Sequence, residues 1–169
     1  MIRNLLFSTF FFLGIIVISL IFLPALLLPR KITLLGGKLM GHWAGFCLRV
    51  FLSVKIIIKG NENVITDQKF FIAASHQSMF ETFYLQTIFN SPVFILKKEL
   101  LRIPIFGWYL KKIGSISINR NKVTKDNLGF FEGILRIANS SDRPLIIFPQ
   151  GTRVLPDERP SFKKGATRI

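Results

Sequence analysis

The stretch Leu145-Ile-Ile-Phe-Pro-Gln-Gly-Thr-Arg153 contains an apolar run that stops at a proline. A short apolar run that ends in this way is typical of a buried strand entering a loop, because proline cannot donate a hydrogen bond to a sheet. Upstream, strand-like runs at Phe70–Ala74, Val93–Leu96 and Ser115–Asn119 alternate with helix-like segments. This alternation predicts a layered α/β domain with a largely parallel sheet flanked by helices.

The remaining periodicity predicts helices at Met79–Phe89 and Thr124–Ala138, and a proline-interrupted helical stretch that ends at Lys112. A further strand is predicted at Val54–Lys59, which is rich in isoleucine and valine. Open α/β sheets bind their ligands beyond the carboxyl ends of the strands. We therefore expect the functional residues to lie in the loops that follow the predicted strands.

The N-terminal region begins with an uncharged apolar run of 24 residues, Leu5–Leu28. About 20 apolar residues suffice to cross a bilayer as a helix, whereas the apolar core of a signal peptide has about 7–15 residues. The run therefore predicts a membrane-anchoring transmembrane helix. Glycines interrupt the next apolar segment, Ile32–Leu52, which predicts an interfacial or re-entrant helix. We divide the chain into a membrane region, 1–53, and an α/β domain, 54–169.

The chain is strongly basic, with 23 Lys and Arg against 9 Asp and Glu and a net charge of +14. Lys97–Lys125 alone contains eight basic residues and one acid, Glu99. Such a surface attracts the phosphates of nucleic acids or of anionic lipids, although a solvated basic face without a partner is a common alternative. The predicted anchor favours anionic membrane lipids, and the sequence contains no nucleic-acid-binding motif, so no nucleic-acid partner is expected. Arg30 and Lys31 follow the apolar run, which places the α/β domain on the cytoplasmic face of the cell membrane by the positive-inside rule.

Cysteine and histidine are scarce. Cys47 is the single cysteine, and the chain has two histidines. A lone cysteine excludes an intramolecular disulfide, and no group of residues has the spacing of a zinc site. The sequence therefore argues against a disulfide-stabilised protein, and no bound metal is expected.

The stretch His76-Gln-Ser-Met-Phe-Glu81 lies between the predicted strand Phe70–Ala74 and the helix that follows it. A neutral imidazole at a strand-to-helix turn can take a proton from a hydroxyl near neutral pH. Glu81 lies too far around a continuous helix to face His76, but a turn between them would let the carboxylate reach the second ring nitrogen. The alternative is a surface histidine and an unrelated helix glutamate, since this spacing often occurs by chance.

The loop at the end of the last predicted strand carries a second group of candidate residues. Pro149 stops the strand, and Gly151 permits a tight turn or a close approach of the backbone. Arg153 would project from this loop with donors that suit bidentate binding of a phosphate. The alternative is a surface loop with a solvated arginine.

Together these stretches resemble the glycerolipid acyltransferases, most closely the 1-acylglycerol-3-phosphate acyltransferases. The family has a block of histidine, four residues and an acid, a middle block that ends in arginine, and a Phe-Pro-Glu-Gly-Thr-Arg block. The corresponding stretches here are His76–Glu81, Gly114–Arg120 and Phe148–Arg153. Lys98-Glu-Leu, Pro104-x-x-Gly107 and Phe162-Lys-Lys-Gly165 are also similar to the family, so the resemblance extends from about residue 54 to the end.

The resemblance implies transfer of a fatty acyl group from acyl carrier protein or acyl-CoA to the sn-2 hydroxyl of lysophosphatidic acid, which gives phosphatidic acid. It implies that His76 is the general base and that Glu81 orients it. It assigns the acceptor site to five residues, which are Arg120, Gln150, Gly151, Thr152 and Arg153. No cofactor or metal is expected, because the thioester is already activated.

The sequence departs from the family pattern at three places. Glu81 stands where the family has aspartate, and Gln150 stands where it has glutamate. A fourth, proline-containing block that usually follows is missing before Ile169, so we expect 54–169 to be an incomplete acyltransferase-like domain. Two other interpretations stay open, namely an acyltransferase for another lysolipid and an inactive remnant that only binds lipid. A basic nucleic-acid-binding domain is the third alternative.

Overall fold

The computed structural model describes residues 1–64, 70–118 and 126–163. The helices are α1 (Ile2–Ile21), α2 (Arg30–Leu52), α3 (Phe80–Ile88), α4 (Phe106–Lys112) and α5 (Asp126–Ser140). The strands are β1 (Phe71–Ala73), β2 (Val93–Lys97), β3 (Ile116–Ile118) and β4 (Leu145–Ile147). Short 3-10 turns lie at Leu23–Leu26, Asn61–Asn63 and Lys98–Arg102.

The four strands form one parallel sheet in the order β1-β4-β2-β3. Ile146 of β4 lies opposite Ile72 of β1 on one side and Phe94 of β2 on the other, and its side chain is fully buried. Ile134 of α5 packs against the buried apolar residues of the inner strands. The predicted layered α/β fold with a parallel sheet is confirmed, and the two inner strands are the most buried ones.

The strand predicted at Val54–Lys59 does not form. These residues belong to no helix and pair with no strand in the described part of the chain, and Ile57 and Ile58 are exposed. The prediction was wrong because β-branched residues favour a strand only when a neighbouring strand is available to pair with them. The last helix was predicted to begin at Thr124, which lies outside the described residues, and its visible part runs to Ser140.

The two N-terminal helices form an antiparallel hairpin. Arg3 at the start of α1 donates from Nε to the Phe51 carbonyl and from Nη2 to Ser53 Oγ, both over 2.8 Å. Halfway along, Trp43 Nε1 donates to the Phe10 carbonyl. The predicted apolar span reaches Leu28, but the helix ends at Ile21, before the proline-containing 3-10 turn. Within the described residues, α1 is the one helix long and apolar enough to cross a membrane.

Three glycines of the second helix, Gly37, Gly41 and Gly45, lie on the face that packs against α3. A Cβ atom on Gly41 would lie 2.5 Å from the Phe83 carbonyl oxygen, and one on Gly45 would lie 3.0 Å from the Tyr84 ring. These glycines therefore do not interrupt the helix, which is continuous over 23 residues, but let the two backbones approach closely. That α2 lies at the membrane interface stays a prediction.

Candidate active site

The two sequence stretches with candidate residues lie side by side at the carboxyl end of the sheet. This follows from the strand order, since β1 and β4 are neighbours although about 70 residues separate them. The pairing continues beyond the strands, where the Ala74 amide donates to the Ile147 carbonyl over 3.0 Å. Further along, the Val154 amide donates to the His76 carbonyl over 2.8 Å. The loop after β4 is thereby fixed against the loop that carries His76.

The side chains of His76 and Glu81 face each other at the carboxyl end of the sheet. His76 Nδ1 lies 3.4 Å from Glu81 Oε2, and the two side chains are 18% and 22% exposed. The chain does turn between them, as the sequence required for this contact. A carboxylate next to Nδ1 favours the tautomer in which Nδ1 carries the proton and Nε2 is the nitrogen that acts as a base.

The turn between the two residues is a capping box that begins α3. Both carboxylate oxygens of Glu81 accept the Ser78 amide hydrogen, each over 3.0 Å, while Ser78 Oγ accepts the Phe80 amide over 3.0 Å. Ser78 Oγ also donates to Glu81 Oε1 over 3.2 Å. The sequence analysis missed Ser78, although the pattern Ser-x-x-Glu before an apolar run is a recognised signal for this motif. Glu81 therefore serves as a helix cap as well as the neighbour of His76.

The loop after β4 covers the imidazole. The Phe148 ring lies 4.4 Å from the His76 ring between centroids, tilted by 31°. The Gly151 amide donates to the Phe148 carbonyl over 2.9 Å and closes a tight turn around the buried Pro149. Gly151 has a φ of 69°, a conformation that favours glycine, as the sequence suggested. Phe148 was not among the predicted site residues, and its position next to the motif proline was the available signal.

The remaining residues of this loop differ in how far they are buried. Gln150 is half-buried, and its Nε2 donates to Ser75 Oγ over 3.4 Å. Its Oε1 is buried without a hydrogen-bond partner in the described part of the chain. Thr152 and Arg153 are exposed, and Arg153 forms no ion pair with a described residue. The loop that is fixed against His76 thus carries one unpaired amide oxygen and one exposed guanidinium.

Two predictions are not decided by this geometry. Arg120, predicted to bind the acceptor, lies outside the described residues. Across 1–64, 70–118 and 126–163, no three His, Cys, Asp or Glu side chains form a group that could hold a metal ion. The expectation that no metal or cofactor is bound stays a prediction.

Two of the proteins to which this chain is similar have the same name. The chain is 31% identical over 137 residues to 1-acyl-sn-glycerol-3-phosphate acyltransferase from Pseudomonas aeruginosa, which covers 76% of this chain and 50% of that protein. A protein of the same name from Saccharomyces cerevisiae is 28% identical over 145 residues, covering 81% of this chain and 47% of that protein. The chain thus spans about half the length of these curated relatives.

A solved structure has the same fold. The crystal structure of the 1-acyl-sn-glycerophosphate (LPA) acyltransferase PlsC from Thermotoga maritima matches with a TM-score of 0.73 at 24% identity. The match covers 99% of this chain and 68% of that chain. The sequence profile of the Acyltransferase family matches residues 55–169, which is well over half of the chain. The chain therefore belongs to the acyltransferase family.

Proposed function

We propose that this protein transfers a fatty acyl group from a thioester donor, acyl carrier protein or acyl-CoA, to the sn-2 hydroxyl of lysophosphatidic acid. The product is phosphatidic acid, a precursor of phospholipids. The observation that carries the proposal is the contact of His76 Nδ1 with the Glu81 carboxylate. The exposed Arg153 directly precedes Val154, whose amide binds the His76 carbonyl. Membership of the family and the names of the relatives support the reaction type and the acceptor.

The proposed reaction needs one base and no covalent enzyme intermediate. His76 Nε2 accepts the proton of the sn-2 hydroxyl as the oxygen attacks the thioester carbonyl, and Glu81 stabilises the imidazolium that forms. The tetrahedral intermediate then collapses, the C–S bond breaks, and the thiolate takes the proton back from the imidazolium. The 3.4 Å contact is long for a charge-assisted hydrogen bond and should shorten once the ring is charged.

The acceptor site is the second part of the proposal. Arg153 is exposed next to the base and would bind the phosphate of the acceptor bidentately, together with Arg120 from the middle block. Gln150, Gly151 and Thr152 would shape the pocket between them. The unpaired Oε1 of Gln150 can accept a hydrogen bond from an acceptor hydroxyl, and satisfying it removes the cost of a buried orphan oxygen.

The same glutamine favours a second candidate function. A neutral amide replaces the family's carboxylate, so this side chain can donate a hydrogen bond to the headgroup, which a carboxylate cannot do. This change supports another lysophospholipid as the acceptor, with the same base and the same donor. The two candidates differ in the headgroup alone.

The exposure of α1 supports attachment to the membrane. The helix is long and apolar enough to cross a bilayer, and only 11% of its apolar window is buried within the described part of the chain. The α/β domain contacts it at two points. Phe83 of α3 meets the Phe11 ring edge-on at 5.8 Å, and Tyr109 Oη of α4 donates to the Ser19 carbonyl over 2.6 Å. We place the domain on the cytoplasmic face, with Arg30 next to anionic headgroups.

The test is acyl transfer to lysophosphatidic acid from labelled acyl carrier protein and acyl-CoA, with the wild type and His76→Ala in membranes. His42→Ala is the matched control, because His42 is the second histidine and is exposed on α2. We expect transfer to disappear in His76→Ala and to persist in His42→Ala. Equal turnover in the two variants would refute the proposed base.

If the wild type transfers no acyl group to lysophosphatidic acid, two interpretations remain. Transfer to a different lysolipid would support the second candidate function. A folded protein that binds lysolipids but transfers acyl groups to none of them would be an inactive lipid-binding remnant.

A further inference from the structure

A partly buried arginine lies at the amino end of the sheet, opposite the carboxyl end where His76 lies. Arg143 precedes β4 and donates from Nε to the Ser91 carbonyl over 2.5 Å. Its Nη1 donates to the Ile113 carbonyl over 2.6 Å, and its Nη2 donates to the Pro92 carbonyl over 3.2 Å. All three partners are neutral, and no described carboxylate pairs with the guanidinium. A guanidinium has five N–H donors, so two remain available.

A second arginine lies beside the first. Arg30, the first residue of α2, lies over Gly114, where a Cβ atom would be 3.7 Å from the guanidinium carbon. Gly114 follows Ile113, whose carbonyl binds Arg143, so the two guanidinium groups flank the same short stretch of backbone. Burial lowers the pKa of Arg143 to about 10, with a further contribution from the charge of Arg30. Arg30 forms no hydrogen bond or ion pair with any residue that the structure describes.

Two buried hydroxyls belong to residues next to this stretch of backbone. Ser91 is 2% exposed, and its Oγ has no hydrogen-bond partner among the described residues, although its carbonyl binds Arg143. Ser115 follows Gly114, and its buried Oγ is likewise without a described partner. A buried hydroxyl that loses its hydrogen bonds costs about 1–3 kcal/mol. Two cations and two orphan hydroxyls thus belong to neighbouring stretches of chain, and an anion bound between them would satisfy these groups.

We propose that Arg30 and Arg143, with the hydroxyls of Ser91 and Ser115, bind a phosphate group at a second site separate from the candidate active site. Guanidinium groups match phosphate oxygens in geometry, and hydroxyls donate to those that remain. The amino end of α2, which begins at Arg30, adds a favourable dipole. The phosphate relieves the repulsion between the two arginines.

The position of the site allows two sources for this phosphate. It lies at the closed end of the helix hairpin, next to Leu27, which is 91% exposed, and Leu28. These side chains would reach into the bilayer if the hairpin attaches to it, which brings lipid headgroups to Arg30. Inorganic phosphate from solution carries the same chemistry. The proposal does not depend on acyl transfer and is tested without it.

The experiment measures the melting temperature of the full chain with and without a phosphate source. One arm uses detergent solution with inorganic phosphate against chloride at equal ionic strength, and the other uses phosphatidylcholine nanodiscs with and without phosphatidylglycerol. The proteins are the wild type, Arg30→Gln and Lys31→Gln. Lys31 is the matched control, because it is exposed in the same helical turn and its loss changes the net charge equally.

We expect a phosphate source at ten times its Kd to raise the wild-type melting temperature by about 3–6 °C. Lys31→Gln should keep this shift, and Arg30→Gln should lose most of it. Phosphate bound near Arg153 contributes equally in all three proteins and cancels. A shift in the first arm alone assigns the site to free phosphate, and a shift in the second alone assigns it to a lipid headgroup. Equal shifts in the two variants, or no shift in either arm, would overturn the proposal.

A serine variant gives an independent readout. Ser115→Ala removes an orphan hydroxyl, so without phosphate its melting temperature should be equal to that of the wild type or higher. With phosphate its gain should be smaller than that of the wild type. A purely structural serine would lower the melting temperature in both conditions by the same amount, which would count against the site.

Discussion

Replacing Glu81 with glutamine is expected to lower the turnover of acyl transfer by about 100- to 1,000-fold while leaving the fold intact. The change keeps the size of the side chain and removes its charge. The carboxylate lies 3.4 Å from His76 Nδ1, and its attraction acts fully only when the imidazole becomes charged during the reaction. The loss should therefore appear in kcat and leave the KM for the acceptor nearly unchanged.

The magnitude follows from the distance and the burial. At 3.4 Å, opposite unit charges attract by about 5 kcal/mol at an effective dielectric constant of about 20 and by about 1 kcal/mol in bulk water. His76 and Glu81 are 18% and 22% exposed, so the site lies nearer to the first limit. A loss of about 3–4 kcal/mol corresponds to the stated decrease in rate.

The fold should survive because glutamine preserves the helix cap. Its amide oxygen can still accept the Ser78 amide hydrogen, and glutamine replaces glutamate in the capping box of many helices. The free energy of unfolding should fall by no more than about 1 kcal/mol, the value of a charge at the first turn of a helix. Glu132→Gln, the same change at an exposed position of α5, controls for the lost charge.

The assay is steady-state transfer to lysophosphatidic acid, with thermal unfolding of each variant in parallel. Glu81→Asp keeps the charge, so it should retain more activity than Glu81→Gln. A decrease of less than about tenfold in Glu81→Gln would refute the role of the carboxylate in stabilising the imidazolium. If activity and melting temperature fall together in Glu81→Gln, the role of Glu81 is that of a helix cap only.

Three further changes test the packing and the acceptor site. Gly41→Ala should destabilise the protein by about 1–2 kcal/mol in thermal unfolding, because its Cβ would meet the Phe83 carbonyl. Gly133→Ala has open space around the new Cβ and should stabilise the protein by about 0.5–1 kcal/mol in the same measurement. Arg143→Met should cost about 2–4 kcal/mol in the same measurement, since three buried carbonyls lose their donor; an unchanged melting temperature would contradict this. Arg153→Gln should raise the KM for the acceptor by about 10- to 100-fold with little change in kcat, and the exposed Arg159→Gln should change neither.

The sequence was sufficient for the sheet but not for its order. Apolar runs separated by helix-like segments predicted parallel strands, and four of the five predicted strands form. That β4 lies between β1 and β2 depends on tertiary packing, and this order alone brings His76 next to Phe148. The fifth strand, Val54–Lys59, failed for the same reason, since the availability of a partner strand is not a local property.

Buried polar residues were the hardest features to predict. Arg143 lies in the stretch Asp-Arg-Pro, which is typical of a solvated turn. Its partial burial arises because two separate segments direct three carbonyls to one point, Ser91 and Pro92 from one segment and Ile113 from the other. No local pattern encodes such a convergence. The capping box at Ser78, by contrast, was readable from the sequence and was missed.

The third helix connects the membrane region to the candidate active site. At its start, Glu81 closes the capping box and faces His76, and on the next residues Phe83 packs against Phe11 of α1 and against the glycine face of α2. The position of the Glu81 carboxylate thus depends on how α3 packs against the hairpin of α1 and α2. Gly41 allows the backbones of α2 and α3 to approach closely. A change in how α3 packs on the hairpin should therefore shift Glu81 relative to His76, although Gly41 itself contacts no proposed substrate. If Gly41→Ala lowers kcat more than its loss of stability explains, while Arg143→Met does not, the anchor positions the catalytic pair as well as attaching it to the membrane.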